Sequence, residues 1–121
     1  MIKHVFVVDD DRVIASTTAA IMQLSGYDAR CFVDPLEALE AASRSAPDLL
    51  IADVIMPWLS GIDLAIHFKK LCPTCKILLI TSQAGTADLL EVARKQGHDF
   101  QLLTKPCQPT ALLARIKDTA A

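Results

Sequence analysis

The sequence predicts an α/β domain, a doubly wound five-stranded parallel sheet with helices on both faces. Three observations carry this. Several short runs are apolar at every position, as strands buried on both faces are. Segments with apolar residues at spacings of three and four lie between them. The two kinds of segment alternate strictly along 121 residues, about half the length that a closed eight-fold barrel needs.

Val5-Phe6-Val7-Val8 is the first run and ends at Asp9. The helix after it is predicted from Ile14, Thr17, Ile21 and Leu24 on one face, with Gly26 placed to end it. Asp11 caps that helix or is simply solvated. Tyr27-Asp28-Ala29-Arg30-Cys31-Phe32 mixes charge into a strand-like segment, which suits a sheet edge. Asp34-Pro35-Leu36-Glu37 reads as an N-cap, a first-turn proline and a glutamate closing a capping box. Leu49-Leu50-Ile51-Ala52 is a second central strand, and Leu64, Phe68 and Leu71 mark the helix that follows. Ile77-Leu78-Leu79-Ile80 is a third. A helix from near Thr86 to Gly97, a short strand from Phe100 to Thr104, and a helix opening at Pro109 with Leu112, Leu113 and Ile116 complete five βα units.

The composition allows one domain over residues 1–121, with 52% hydrophobic residues to form its core. Twelve basic against fourteen acidic residues, with no basic run, argue against a nucleic-acid partner. The longest apolar runs are too short to span a membrane or to form a signal peptide, so a cytoplasmic protein with reduced thiols is expected.

Asp9, Asp10 and Asp53 each follow an apolar run, and Thr81 and Lys105 follow two later ones. In an open parallel sheet, ligands bind beyond the carboxyl ends of the strands, where the strand order reverses. Three carboxylates, a hydroxyl and an ammonium gathered there suit a hard divalent cation beside a carboxylate nucleophile. Without a cation the carboxylates repel one another, and at least one pKa is expected to be raised.

The segments VVDDD at 7–11, ADVIMPWLSGID at 52–63, ITS at 80–82 and TKP at 104–106 together resemble the receiver domain of two-component response regulators. The likeness runs through essentially the whole chain. It implies a flavodoxin-like sheet of order 2-1-3-4-5. It also implies a phosphoacceptor at Asp53 and Mg²⁺ held by Asp10 and Asp53 directly, by Asp9 through water, and by the backbone carbonyl of Ile55. Thr81 and Lys105 would stabilise the phosphoryl oxygens, with the Lys105–Pro106 bond cis.

The same resemblance makes Ile55 and Gln83 tuners of the phosphoryl lifetime. In many receivers an aromatic residue three places before the lysine turns inward on activation. That place holds Leu102 here, with Phe100 two residues earlier, and the stretch from Gly97 to Lys105 looks one residue long, which invites a bulge. The implied partners are a sensor histidine kinase or phosphotransfer protein, and a downstream output protein or an output domain outside the chain. Homodimerisation on activation stays open. The chain is read as a switch, not a turnover enzyme.

Trp58 is placed beside the site or packed on its loop. His4, His67 and His98 are scattered, which suits surface or packing roles. Two rival functions also fit parts of the sequence. One is a receiver-like module that binds its partner without phosphorylation. The other is an oxidoreductase using Cys72 and Cys75. That Cys-x-x-Cys pair closes a helix, whereas a redox dithiol opens one and gains thiolate stabilisation from the helix N-terminus. A structural zinc site would need two further ligands. Cys31 and Cys107 are expected as small buried apolar residues.

Overall fold

In the computed structural model each apolar run becomes a strand because both of its faces find a helix to pack against. Residues 2–57, 59–81, 87–97, 100–105 and 108–120 are described, with backbone alone at 87–90 and 119–120. The readings placed on Trp58, Gln83, His98, Pro106 and Cys107 lie outside the described residues.

The strands are β1 (His4–Val8), β2 (Asp28–Phe32), β3 (Leu49–Asp53), β4 (Lys76–Thr81) and β5 (Gln101–Thr104). The helices are α1 (Arg12–Leu24), α2 (Pro35–Arg44), α3 (Gly61–Leu71), α4 (Ala87–Lys95) and α5 (Pro109–Ala120). One sheet of order β2-β1-β3-β4-β5 results, parallel at every pairing. The charged strand β2 is at one edge, as its composition requires. Tyr27 and Phe100 fall just before the strands expected to contain them. Pairing of β5 with β4 is continuous from Leu78–Gln101 to Thr81–Thr104, without a bulge.

Alternate side chains of the central strands enter two cores. Val5, Val7, Leu49, Ile51, Leu78 and Ile80 meet Ala19 and Met22 of α1 and Leu112 and Ile116 of α5. Phe6, Val8, Leu50, Ala52, Ile77 and Leu79 meet Ala38 of α2, Leu64 and Phe68 of α3, and Ala93 of α4. Each fully buried Val, Leu or Ile contributes roughly 1.5–3 kcal/mol of transfer free energy, so the central strands dominate stability.

Several local expectations are corrected. The buried face of α1 is Ala15, Ala19 and Met22, while Ile14 and Thr17 are exposed, Ile21 is half-buried and Leu24 is 89% exposed. Apolar residues occur around most of this helix, and the two alanines let its axis approach the sheet more closely than a face of Ile and Leu would. Leu71 is likewise exposed, and Cys72 takes the inward place at the end of α3. Asp34 caps α2 by accepting from the Leu36 N–H at 2.9 Å, but Glu37 closes no box among the described residues. Gly26 and Gly97, with φ of 95° and 92°, follow α1 and α4 in the left-handed conformation expected of a C-terminal stop. No helix among the described residues is long and apolar enough to cross a membrane.

Candidate functional site

The strand order turns back between β1 and β3, whose neighbouring carboxyl ends carry the acidic residues. Asp9 follows β1 directly, and its N–H donates to the Phe32 carbonyl of β2 at 3.1 Å. Its Oδ1 accepts from the Asp11 N–H at 2.9 Å. Asp11 in turn caps α1, accepting from the N–H groups of Val13 and Ile14. This chain of local bonds fixes the carboxylate of Asp9 below the surface and leaves Asp10 exposed. Asp53 is the last residue of β3 and half-buried.

Lys105 arrives from the far edge of the sheet. Its backbone N–H donates to the Thr81 carbonyl at 2.7 Å, which ties the ends of β5 and β4 together. The Nζ then reaches across to donate to Asp9 Oδ2 at 2.9 Å and lies 3.7 Å from Asp53 Oδ2. Burial alone would lower the Lys105 pKa, but the bond and charge of Asp9, with Asp53 behind it, outweigh that and hold the ammonium above its ordinary value. The Asp53 carboxyl is pushed up, first by burial and then by Asp9 and Asp10, against the pull of Lys105 and of the Ile55 N–H. Desolvation therefore exceeds carboxylate repulsion as the cause.

Thr81 ends β4, buried, one strand beyond Asp53. Ile55, two residues past Asp53, is 45% exposed at the mouth of the site. Phe100 and Leu102 are half-buried against the core on the α2–α3 side. Beside the carboxylates, a cleft of about 560 Å³ runs between α1 and the sheet, with Val13 and Ile14 exposed at its rim.

The donor set fits a hard divalent cation. One carboxylate oxygen from each of Asp9, Asp10 and Asp53 lies within 4.8 Å of the others, a spacing that one ion can bridge with waters completing its shell. Both oxygens of Asp9 already serve protein donors, whereas Asp10 faces solvent.

A family model described as the response regulator receiver domain matches residues 5–117. The chain belongs to this family. Response regulator MprA of Mycobacterium leprae is 30% identical over 114 residues, 94% of this chain and 49% of that protein. The alkaline phosphatase synthesis transcriptional regulatory protein PhoP of Bacillus subtilis is 32% identical over 117 residues, 97% of this chain and 48% of that protein. The receiver thus spans about half the length of these relatives. Among solved structures, the chemotaxis protein CheY4 of Vibrio cholerae superposes with a TM-score of 0.84 at 26% identity, covering 98% of this chain and 99% of that one. A CheY-like receiver protein of Methanospirillum hungatei gives 0.86 at 26% identity, covering 98% and 93%.

The rival dithiol of this receiver is packed away from solvent. Cys75 is 1% exposed and its thiol is pushed up to about 12, mainly by burial. Cys72, also raised by burial, donates its S–H to the Phe68 carbonyl at 3.2 Å. Both are core residues at a turn pinned by Lys69, whose Nζ donates to the carbonyls of Pro73 and Cys75. Neither has the low-pKa, accessible setting of a reactive thiol. Cys31, expected inside, is exposed on edge strand β2: it shares a sheet face with Ala29, but the core covers only Ala29 on that face of the edge strand. His4 pairs with Asp28 at 3.1 Å across β1 and β2, and His67 is exposed.

One residue at the site stood in the 52–63 segment without a role of its own. Gly61 opens α3, and a β-carbon there would fall 2.2 Å from the Asp53 carbonyl oxygen. The available signal was a glycine at the first position of a helix, whereas glycine is most enriched just past a helix end.

Proposed function

We propose that Asp53 accepts a phosphoryl group from a phosphohistidine of a sensor kinase or phosphotransfer protein, and that the resulting acyl phosphate switches contacts with an output protein or domain. Receiver domains work with histidine kinases and output domains, and this chain carries the acidic cluster that such transfer requires. The observation that carries the reading is Lys105 Nζ within 2.9 Å of Asp9 and 3.7 Å of Asp53, a fixed positive charge beside the acceptor carboxylate.

The step needs little covalent assistance. An Asp53 oxygen attacks phosphorus in line as the N–P bond breaks, and the imidazole leaves with its electron pair and takes up a proton. Asp9, Asp10, Asp53 and the Ile55 carbonyl would hold Mg²⁺, which supplies positive charge to the phosphoryl oxygens when bound. Lys105 contributes a second positive charge and the Thr81 hydroxyl a hydrogen bond to the same group. Lys105, 3.7 Å away, opposes the burial that pushes the Asp53 carboxyl up and so favours its ionised, nucleophilic form. Val13 and Ile14 offer apolar surface to a donor protein approaching the cleft.

The product adds roughly 1.5–2 negative charges beside Thr81, which draws hydroxyl and ammonium toward the phosphoryl group. Leu102 of β5 and Phe100 just before it, half-buried against the core on the α2–α3 side, would respond to that movement. The chain ends the transfer covalently modified, so it acts as a switch and not as a turnover catalyst. Intact-mass analysis after incubation with acetyl phosphate and Mg²⁺ tests the proposal. One phosphoryl adduct is expected on the wild type and none on Asp53→Asn, and an equal adduct on both would refute the assignment.

A further inference from the structure

The described glycines serve two different purposes. Gly26 and Gly97 provide positive φ, but Gly61 is not among the positive-φ residues, so its backbone suits any L-residue. Space is what it supplies. A β-carbon at Gly61 would meet the Asp53 carbonyl oxygen at 2.2 Å, the Asp53 carbonyl carbon at 2.8 Å and the Val54 Cα at 3.0 Å. All three are backbone atoms of the segment carrying the phosphoacceptor, and none can swing aside as a side-chain tip would.

Hydrogen bonds fix the same contact from both sides. The Gly61 N–H donates to the Val54 carbonyl at 2.8 Å, and the Val54 N–H donates to the Ile80 carbonyl of β4 at 2.9 Å. Val54 and Gly61 are therefore held together and anchored to the sheet. Ile55 follows Val54, and its N–H donates to the Asp53 carboxylate.

We propose that Gly61 is a positioning residue for the divalent cation: the bare Cα lets the start of α3 lie directly on the Asp53–Val54 backbone, and that approach sets the Asp53 carboxylate and the Ile55 carbonyl relative to each other. This rests on the reading above that a cation binds there. Relieving the contact to an ordinary separation needs a backbone shift of about 1 Å. Mg²⁺ demands near-octahedral oxygens at about 2.0–2.1 Å, so a shift of that size removes an oxygen from its shell. Outer groups that orient metal ligands typically change affinity about 10–100-fold when altered.

The test is calorimetric titration of the full unphosphorylated chain with Mg²⁺, comparing wild type, Gly61→Ala and Ser60→Ala. Ser60 caps α3 by accepting from the Asp63 N–H at 3.1 Å, so its loss weakens the same helix start without adding an atom beside Asp53. Gly61→Ala should bind Mg²⁺ about 10–100-fold more weakly, and Ser60→Ala should match the wild type. Equal affinity of Gly61→Ala and wild type overturns the positioning role alone, as does an equal loss in both variants. A wild type that binds no Mg²⁺ overturns the proposed function and this inference together. Should Gly61→Ala not fold, amide exchange in the cation-free wild type decides. The Gly61 N–H should be protected as strongly as the amides of β3, and exchange at an unprotected rate would rule out the Gly61–Val54 bond and with it the positioning contact.

Discussion

Replacing Lys105 by Met keeps most of the aliphatic stem and deletes the ammonium. In the cation-free protein this strips the buried Asp9 carboxylate of its 2.9 Å partner and removes the positive charge 3.7 Å from Asp53. Unit charges 4 Å apart interact by about 4 kcal/mol at an effective dielectric of 20. Removing one member of a buried pair costs about 3–5 kcal/mol. Lys105 retains 18% side-chain exposure and Asp9 keeps the Asp11 N–H, so the loss should sit lower, at about 2–3 kcal/mol.

Cation binding should move the other way. Three carboxylates without the ammonium form a more negative site, and a tenfold gain in Mg²⁺ affinity adds about 1.4 kcal/mol of stability at saturation. Urea unfolding followed by circular dichroism, with and without saturating Mg²⁺ at matched ionic strength, reads both effects. The variant should be less stable than the wild type without Mg²⁺ and should gain more from adding it. Equal cation-free stability, or a Mg²⁺ gain no larger than that of the wild type, would refute the electrostatic account of the site.

Further outcomes follow from other contacts. Ile55 offers no polar group to orient an attacking water, so Ile55→Asn should shorten the acyl-phosphate lifetime severalfold, and equal decay of the two phosphorylated proteins would contradict this. Met22→Ala should cost about 2–5 kcal/mol in urea unfolding while Leu24→Ala stays within about 0.5 kcal/mol; similar losses would return Leu24 to the core. The Cys75 thiol, raised from an ordinary 9.0 to about 12, favours the folded state fully below pH 9.0. As pH rises toward about 12 that contribution is lost, at up to about 1.4 kcal/mol per pH unit, because the unfolded thiol ionises first. Cys75→Ala should flatten the alkaline fall in stability, and an unchanged slope would show that this thiol is not the source.

The positions of the site residues along the chain were legible before any geometry, since each follows an apolar run and a parallel sheet brings such ends to one edge. The strands were legible for a related reason: Val5–Val8, Leu49–Ala52 and Ile77–Ile80 are buried on both faces, so every residue had to be apolar. α1 was not legible in the same way. Its apolar residues surround the helix, and only docking on the sheet selected Ala15, Ala19 and Met22 over Ile14 and Leu24. Cys31 was not legible because an edge strand is covered along only part of its length, so that Ala29 is buried and Cys31 on the same face is not.

Composition and order along the chain thus determined the layers, the strands and the acidic rim, because these depend on periodicity and on which side chains tolerate burial. Only the tertiary structure decided that Lys105 bonds Asp9 across 96 positions of chain and that α3 begins in a space with no room for a β-carbon. Such distances arise from how finished elements settle against one another, and local pattern carries no record of them.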